Sequence, residues 1–181
     1  QRQMCIRDRY KTKKEKKEYE KKMNQIRGND ISMIFQDPMS YLNPIVTIEK
    51  QMTEGIRFHT KCSKKEAVQR AIELMKMVGI PAPESRLKQY PFEFSGGMRQ
   101  RIIIAIALAC NPKLIVADEP TTALDVTVQA QILDLLKDIT KESNAGVIII
   151  THDLGVVASL CDRISIMYGG NTVSYTHLTL P

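Results

Sequence analysis

Four short apolar runs in the chain have the length and composition of β-strands. They cover residues 31 to 35, 114 to 119, 146 to 151 and 163 to 168. In the second and third runs, residues 114 to 117 and 147 to 150 are apolar without interruption, as in strands buried on both faces of a parallel sheet. We therefore expect a sheet whose central strands are covered by helices.

Helical periodicity is the main signal between these runs. From residue 47 to residue 79 the apolar positions recur at helical spacing, and one shared face consists of Ala67, Ala71, Leu74, Met75 and Val78. Ser63 is a candidate N-cap, and Pro81 and Pro83 are expected to end this helix. Further helices are predicted near residues 102 to 110, 128 to 142 and 154 to 160.

The order of the elements predicts the fold class. A strand, a helix and a second strand between residues 114 and 151 indicate a parallel βαβ unit, and therefore an α/β fold. No internal repeat and no Gly/Ser-rich or Pro-rich linker divides the chain. Residues 1 to 9 and 174 to 181 fit neither neighbouring pattern. We interpret them as a non-native leader and tail, and residues 10 to 173 as the domain.

Charge and cysteine content narrow the classes of function. Residues 1 to 27 hold 11 Lys/Arg against 4 Asp/Glu, a net charge of +7, whereas residues 28 to 181 carry a net charge of −1. A Lys/Glu run of this kind is typical of a solvated helix face, with a phosphate-binding tail as the alternative, so nucleic acid is not an expected partner. The four cysteines lack CxxC spacing and are interpreted as free thiols in a reducing compartment.

Two adjacent carboxylates follow the apolar run at residues 114 to 117. Asp118 and Glu119 are expected at the carboxyl end of a strand, where open parallel sheets place their functional groups. Consecutive strand residues point in opposite directions, so one carboxylate can hold a magnesium ion while the other faces a water. An ordinary acidic pair in a turn is the alternative interpretation.

Two polar side chains directly follow other predicted strands. His152 comes after Thr151, at the sheet edge expected for Glu119, and an imidazole there can hydrogen-bond a terminal phosphate. Gln36 follows Phe35, and its neutral amide can coordinate magnesium or position a water. Taken alone, each residue is also compatible with an incidental polar position in a turn.

A Ser-Gly-Gly sequence opens the predicted helix that precedes Asp118. A helix N-terminus offers free backbone N–H groups and the positive end of the helix dipole, and Gly96 and Gly97 would let a phosphate approach that backbone. Ser95 is equally an ordinary N-cap residue, and such sequences are common in turns. The interpretation as a phosphate site depends on the other motifs.

In combination, these residues resemble an ATPase of the ATP-binding-cassette (ABC) family. The matching positions, in the family's order and spacing, are Gln36, residues 95 to 100, residues 114 to 119, residues 123 to 125 and His152. They correspond to the Q-loop glutamine, signature motif, Walker B strand, D-loop and switch histidine. The resemblance covers residues 20 to 173 or so; Phe94 and Met98 depart from the commonest signature, Leu-Ser-Gly-Gly-Gln.

This resemblance implies a truncated P-loop NTPase fold with a parallel sheet core and a helical signature subdomain at about residues 47 to 110. It also implies that ATP and Mg²⁺ are bound and that ATP is hydrolysed. The roles it implies are general base for Glu119, magnesium ligand for Asp118 and Gln36, and contact with the γ-phosphate for His152. Residues 95 to 98 (Ser95, Gly96, Gly97 and Met98) would face the nucleotide of a second ABC ATPase subunit, identical or not, and Asp125 would couple the two sites.

A finer resemblance involves residues 27 to 39, 42 to 44 and 90 to 101, which are similar to the ATPases of oligopeptide and dipeptide importers. Nickel or other solutes stay open as substrates. The implied partners are transmembrane permease subunits and, indirectly, an extracytoplasmic solute-binding protein, with the ATPase peripheral on the cytoplasmic side of the membrane. The loop at residues 37 to 44, where Met39, Tyr41 and Leu42 are expected to be exposed, would contact the permease.

One expected motif does not occur. The sequence contains no Gly-x-x-x-x-Gly-Lys-[Ser/Thr] phosphate loop, so we interpret it as a fragment and expect it to be inactive by itself. The alternative functions are those of a ribosome-associated ABC factor or a DNA-repair ATPase head. Such heads insert long coiled coils between the glutamine and the signature, whereas 58 residues separate Gln36 from Ser95 here.

Overall fold

The computed structural model describes residues 12 to 122, 124 to 143 and 145 to 177. Its strands are β1 Ile31–Ile34, β2 Leu114–Asp118, β3 Gly146–Ile150, β4 Arg163–Tyr168 and β5 Asn171–His177. Its helices are α1 Lys13–Ile26, α2 Pro38–Tyr41, α3 Ile48–Thr60, α4 Lys64–Met77, α5 Pro83–Arg86, α6 Gly96–Ala107, α7 Val126–Ser143 and α8 Leu154–Leu160. Among the described residues, no helix is both long enough and apolar enough to cross a bilayer.

A parallel sheet in the order β1-β2-β3 forms the centre of the fold, as the sequence predicts. Ile34 pairs with Ala117, and Asp118 pairs with Ile150, so the carboxyl ends of the three strands meet at one edge. Helix α7 connects β2 to β3. The side chains that directly follow β1, β2 and β3 therefore lie at the same edge of this parallel sheet.

Helices α3 to α6 occupy the chain between β1 and β2 and share one apolar core with the sheet. The predicted helical region splits at Lys61, which adopts a left-handed φ of 54°. Ser63 caps α4 as predicted, in a capping box with Glu66. The helix ends at Met77 rather than at the prolines, because Gly79 takes a φ of 74° that side-chain-bearing residues adopt rarely.

Strand β3 differs from the expectation of burial on both faces. Ile148 and Ile150 are 50% and 49% exposed. In the described sheet β3 has one neighbour, β2, and therefore lies at an edge. The prediction that both faces of β3 are covered was wrong for the face that carries Ile148 and Ile150. Apolar composition does not reveal which helices pack on a strand.

The predicted strand at residues 163 to 168 is present but pairs outside the parallel sheet. Strands β4 and β5 form an antiparallel hairpin. Strand β5 includes residues 174 to 177, part of the segment interpreted as a non-native tail. The interpretation of residues 1 to 9 and 178 to 181 as non-native lies outside the described residues.

The basic segment forms a solvated helix, as expected. Helix α1 has a capping box between Thr12 and Glu15 and buries none of its residues. The ammonium of Lys22 lies 3.1 Å from the carboxylate of Glu18, one helical turn away. The cysteines within the described part, Cys62, Cys110 and Cys161, are free thiols; Cys5 lies outside it.

Candidate active site

Three side chains from the ends of three strands meet at the carboxyl edge of the parallel sheet. The amide Nε2 of Gln36, which follows β1, donates a 2.7 Å hydrogen bond to Oε2 of Glu119, which follows β2. Nδ1 of His152, which follows β3, lies 3.0 Å from Oε1 of the same carboxylate. The structure thus brings together three residues separated by up to 116 positions in the sequence.

The backbone of Glu119 is held in an unusual conformation. Strand β2 ends at Asp118, and Glu119 adopts a left-handed φ of 43°, which costs a non-glycine residue about 1–3 kcal/mol. Its N–H donates to the carbonyl of Ile150 at 2.9 Å, and its carbonyl accepts from the N–H of Thr122 at 3.1 Å. The side chains of Asp118 and Glu119 therefore point in different directions because of this left-handed backbone conformation as well as the alternation of a regular strand.

Hydrogen bonds keep the Glu119 carboxylate ionised. The Thr122 hydroxyl donates to Oε2 at 2.8 Å and is the largest influence lowering the pKa of Glu119, followed by the hydrogen bond with His152. Partial burial acts in the opposite direction. A carboxylate that stays ionised near neutral pH can accept a proton from a water at this edge. The imidazole of His152 is 79% exposed and open to an incoming ligand.

The oxygen donors at this edge suit a magnesium ion. Asp118 ends β2, and the Gln36 amide uses its nitrogen to bind Glu119, so its oxygen is the atom available for a cation. Within the described ranges no group of three or more His, Cys, Asp or Glu residues could hold a metal. Asp118 and Gln36 would supply the one or two protein ligands that Mg²⁺ takes, and phosphate oxygens and water would complete its shell.

The Ser-Gly-Gly sequence does form a helix N-terminus. Ser95 is the N-cap of α6, and its hydroxyl accepts a 3.4 Å hydrogen bond from the N–H of Met98. Ser95 and Gly96 are exposed, whereas Gly97 and Met98 are partly buried. The end of α6 thus offers an exposed N-terminal turn, which can attract an anion.

Helix α6 is tied closely to the turn that carries Glu119. Gln100 is 1% exposed, and its amide donates a 2.7 Å hydrogen bond to the carbonyl of Pro120. A Cβ added to Gly97 would lie 2.6 Å from Cγ1 of Val128, a contact too short for a side chain there. The absence of a side chain at Gly97 therefore also serves the packing of α6 against α7.

Asp125 lies in the turn between Glu119 and α7. Its carboxylate accepts a 3.0 Å hydrogen bond from the N–H of Val128 and thereby caps α7. Further along α7, the amide of Gln129 donates to the carboxylate of Asp153 at 3.3 Å, next to His152. Asp125 is exposed.

Sequence reasoning missed Thr122 and Gln100. Thr122 follows Glu119 by three residues, a spacing at which a turn closes on itself. Gln100 is a polar residue one helical turn before the apolar positions Ile103 and Ile104. That position on an apolar face is the signal that could have identified it as a buried hydrogen-bonding residue.

A comparison with protein-family models matches residues 5 to 122 to the family described as ABC transporter. The chain belongs to the ABC transporter family. It is 60% identical over 154 residues to the oligopeptide transport ATP-binding protein OppD of Bacillus subtilis, covering 85% of this chain and 43% of that relative. It is 58% identical over 151 residues to the dipeptide transport ATP-binding protein DppD of the same organism, covering 83% and 45%.

Solved structures of ABC cassettes share the fold. A dimeric post-hydrolysis structure of the ATP-binding cassette MJ0796, bound to ADP and Pi, aligns with a TM-score of 0.75 and 32% identity, over 87% of this chain and 66% of that one. The cassette cbiO1 of Clostridium perfringens aligns with a TM-score of 0.73 and 28% identity, over 89% and 60%. This ABC chain thus spans less than half the length of the curated relatives named above.

Proposed function

We propose that this chain is part of the ATP-binding subunit of an ABC importer and contributes its hydrolytic residues. The observation that carries the proposal is the contact of Gln36 and His152 with the two oxygens of Glu119. A base held between an amide and an imidazole, at the carboxyl ends of parallel strands, suits the activation of a water beside a phosphate.

The proposed reaction converts ATP and water to ADP and phosphate. Water gives a proton to Glu119 while its oxygen bonds to the γ-phosphorus. The bond from that phosphorus to the β,γ-bridging oxygen breaks, and its electron pair leaves on ADP. His152 hydrogen-bonds the γ-phosphate, and Gln36 positions the water. Asp118 and Gln36 would hold Mg²⁺, which would supply neutralisation of phosphate charge.

The exposed N-terminus of α6 supports a shared site. Ser95, Gly96 and Gly97, together with the following Met98, would face the nucleotide of a second ABC ATPase subunit, and Asp125 would reach the same interface. The dimeric state of the MJ0796 cassette supports this arrangement. The second subunit is either a copy of this chain or a related ATPase.

The transported solute is proposed from the relatives. Their names refer to oligopeptide and dipeptide transport, so a peptide importer is the best-supported system. In that system the ATPase would lie on the cytoplasmic side of the membrane, bound to permease subunits that receive peptides from an extracytoplasmic solute-binding protein. No residue described above is proposed to touch the peptide.

The decisive variant is Glu119→Gln in a full-length subunit that joins this chain to a phosphate loop. Loss of the general base should lower the ATPase rate by about 10²- to 10⁴-fold and leave ATP binding intact. Glu84→Gln is the matched control, because Glu84 is an exposed glutamate that forms an ion pair with Lys76 far along the chain from the site. A Glu119→Gln rate within about threefold of the parent would refute the assignment.

A further inference from the structure

Both oxygens of the Glu119 carboxylate have defined partners. Oε2 accepts hydrogen bonds from Nε2 of Gln36 at 2.7 Å and from Oγ1 of Thr122 at 2.8 Å. Oε1 has a contact with Nδ1 of His152 at 3.0 Å. Each oxygen of an ionised carboxylate has two acceptor positions. The two donors therefore fill Oε2, whereas Oε1 contacts only His152 among residues 12 to 122, 124 to 143 and 145 to 177 and keeps one acceptor position there.

Thr122 holds Glu119 at two points. Its hydroxyl binds the carboxylate, and its backbone N–H donates to the Glu119 carbonyl at 3.1 Å, which closes the turn. Gln36 reaches the carboxylate from another strand and is exposed, whereas Thr122 is partly buried within the same turn. Because Glu119 has a left-handed φ of 43°, its side chain leaves the strand in a direction that the turn must maintain.

We propose that Thr122 is a positioning residue for ATP hydrolysis, which orients the Glu119 carboxylate so that Oε1 is the oxygen that takes the proton from water. This inference rests on the proposed role of Glu119 as the general base. The hydroxyl of Thr122 acts through Glu119 and does not touch the nucleotide.

The first test measures nucleotide binding in the full-length subunit. The affinity for Mg-ATP is followed by isothermal titration calorimetry in the parent, in Thr122→Val and in Thr122→Ser. Valine keeps the shape without the donor, and because Thr122 acts through Glu119 and not on the nucleotide, both variants should bind ATP as tightly as the parent. If Thr122→Val does not fold, Thr122→Ala takes its place with the same expectation.

The second test measures turnover in the full-length subunit. Thr122→Val should lower kcat by about tenfold with little change in KM for ATP, since a misplaced base affects the chemical step. The acidic limb of its kcat profile should move to higher pH, and Thr122→Ser should restore both properties. A general loss of folding would reduce the active fraction without moving the pH profile.

Three results would overturn the proposal: a parent-like kcat in Thr122→Val, a serine variant that behaves like the valine variant, or a loss of ATP affinity in Thr122→Val that accounts for its lower turnover. Failure of the underlying function is recognised separately. If Glu119→Gln keeps the parent turnover, Glu119 is not the base, and the positioning role fails with it. If Glu119→Gln loses turnover while Thr122→Val keeps it, the positioning role alone is rejected.

Discussion

The side-chain amide of Gln100 donates a 2.7 Å hydrogen bond to the backbone carbonyl of Pro120, the residue that directly follows Glu119. The bond links α6, whose N-terminus carries Ser95 and Gly96, to the turn that presents the candidate base. Gln100 is buried, and its Oε1 has no hydrogen-bond partner in the part of the chain that the structure describes. The hydrogen bond to Pro120 and the unpartnered oxygen have opposite effects on the free energy of unfolding, so we expect Gln100 to contribute little net stability.

Gln100→Met should therefore loosen the turn without unfolding the chain. Methionine fills a similar volume and removes both the hydrogen bond and the unpartnered oxygen, so global stability in urea should change by less than about 1.5 kcal/mol. The amides of Glu119 and Thr122 should exchange with solvent about fivefold faster, which corresponds to about 1 kcal/mol of lost local stability.

Hydrogen exchange followed by NMR provides this measurement. Gln131→Met is the control, because the Gln131 side chain, on α7, also forms a hydrogen bond with helix α6, accepting from Arg101 at 3.0 Å. Unchanged exchange at Glu119 and Thr122 in Gln100→Met would show that Gln100 does not hold the turn.

Gly97→Ala should destabilise the chain by about 1–3 kcal/mol, because its Cβ would lie 2.6 Å from Cγ1 of Val128. Val128→Ala removes that methyl group, so the double variant should recover part of the loss. Gly96→Ala is the matched control, since the nearest atom of the described residues to a Cβ there would be Cδ2 of Leu124, at an ordinary 3.9 Å. Urea denaturation of the four variants gives the coupling energy, and strictly additive effects would contradict the proposed packing.

The Gly97→Ala/Val128→Ala double variant also distinguishes a packing role of Gly97 from a role in ligand binding. In the full-length subunit, the double variant should fold and still hydrolyse ATP slowly if the Gly97 backbone approaches a phosphate. Full recovery of the ATPase rate together with stability would assign Gly97 to packing alone.

Glu119 should also give the chain a pH-dependent stability. Its pKa is lowered in the folded state, chiefly by the Thr122 hydroxyl and then by His152. A lowered pKa stabilises the folded state above the ordinary glutamate pKa, about 4.3, and this contribution disappears as the pH falls through the folded value. Glu119→Gln lacks the contribution at every pH.

The difference in urea midpoint between the parent and Glu119→Gln should therefore be present at pH 7 and shrink below about pH 4.3. Glu84→Gln is measured over the same pH range for comparison. The pKa of Glu84 is also lowered, by its hydrogen bond with Lys76. A difference that is constant from pH 7 to pH 3 would show that ionised Glu119 is not stabilised by its neighbours.

The segment at residues 37 to 44, expected to be a loop, contains helix α2 and should contact a permease subunit through Tyr41. Tyr41 is 41% exposed and stacks on Phe35 at a centroid distance of 4.9 Å, whereas Leu42 is 2% exposed and lies in the core. The expectation that Leu42 is exposed was therefore wrong, and the side chain of Met39 lies outside the described residues. Burial of Leu42 anchors the loop and leaves Tyr41 as the contact residue.

Site-directed crosslinking in an assembled transporter tests this contact. With the native cysteines replaced, Tyr41→Cys should form a disulfide with cysteines placed in cytoplasmic loops of the permease, and Leu42→Cys should not. Absence of any Tyr41→Cys crosslink, with normal assembly, would place the permease contact elsewhere.

Local patterns were sufficient for most elements of the fold. The apolar run before Asp118 predicted β2, the Ser63 cap predicted the start of α4, and strand order predicted that His152 would share an edge with Glu119. These predictions hold because strand composition, helix capping and the right-handed βαβ connection are local rules. Burial was less predictable: Leu42 and Ile148 differ from expectation, since exposure depends on which distant segments pack nearby.

The sequence by itself determined the parallel sheet, the ABC family and the identity of the residues at the strand ends, because motif spacing and periodicity carry that information. Only the tertiary structure decided how Glu119 is held. Its backbone is left-handed, and Thr122 binds its carboxylate at 2.8 Å and its carbonyl at 3.1 Å. The amide of Gln100 binds the carbonyl of the following Pro120 at 2.7 Å. Hydrogen bonds of this kind depend on distances and angles set by the packing of α6 on the sheet, which no local pattern in the sequence specifies.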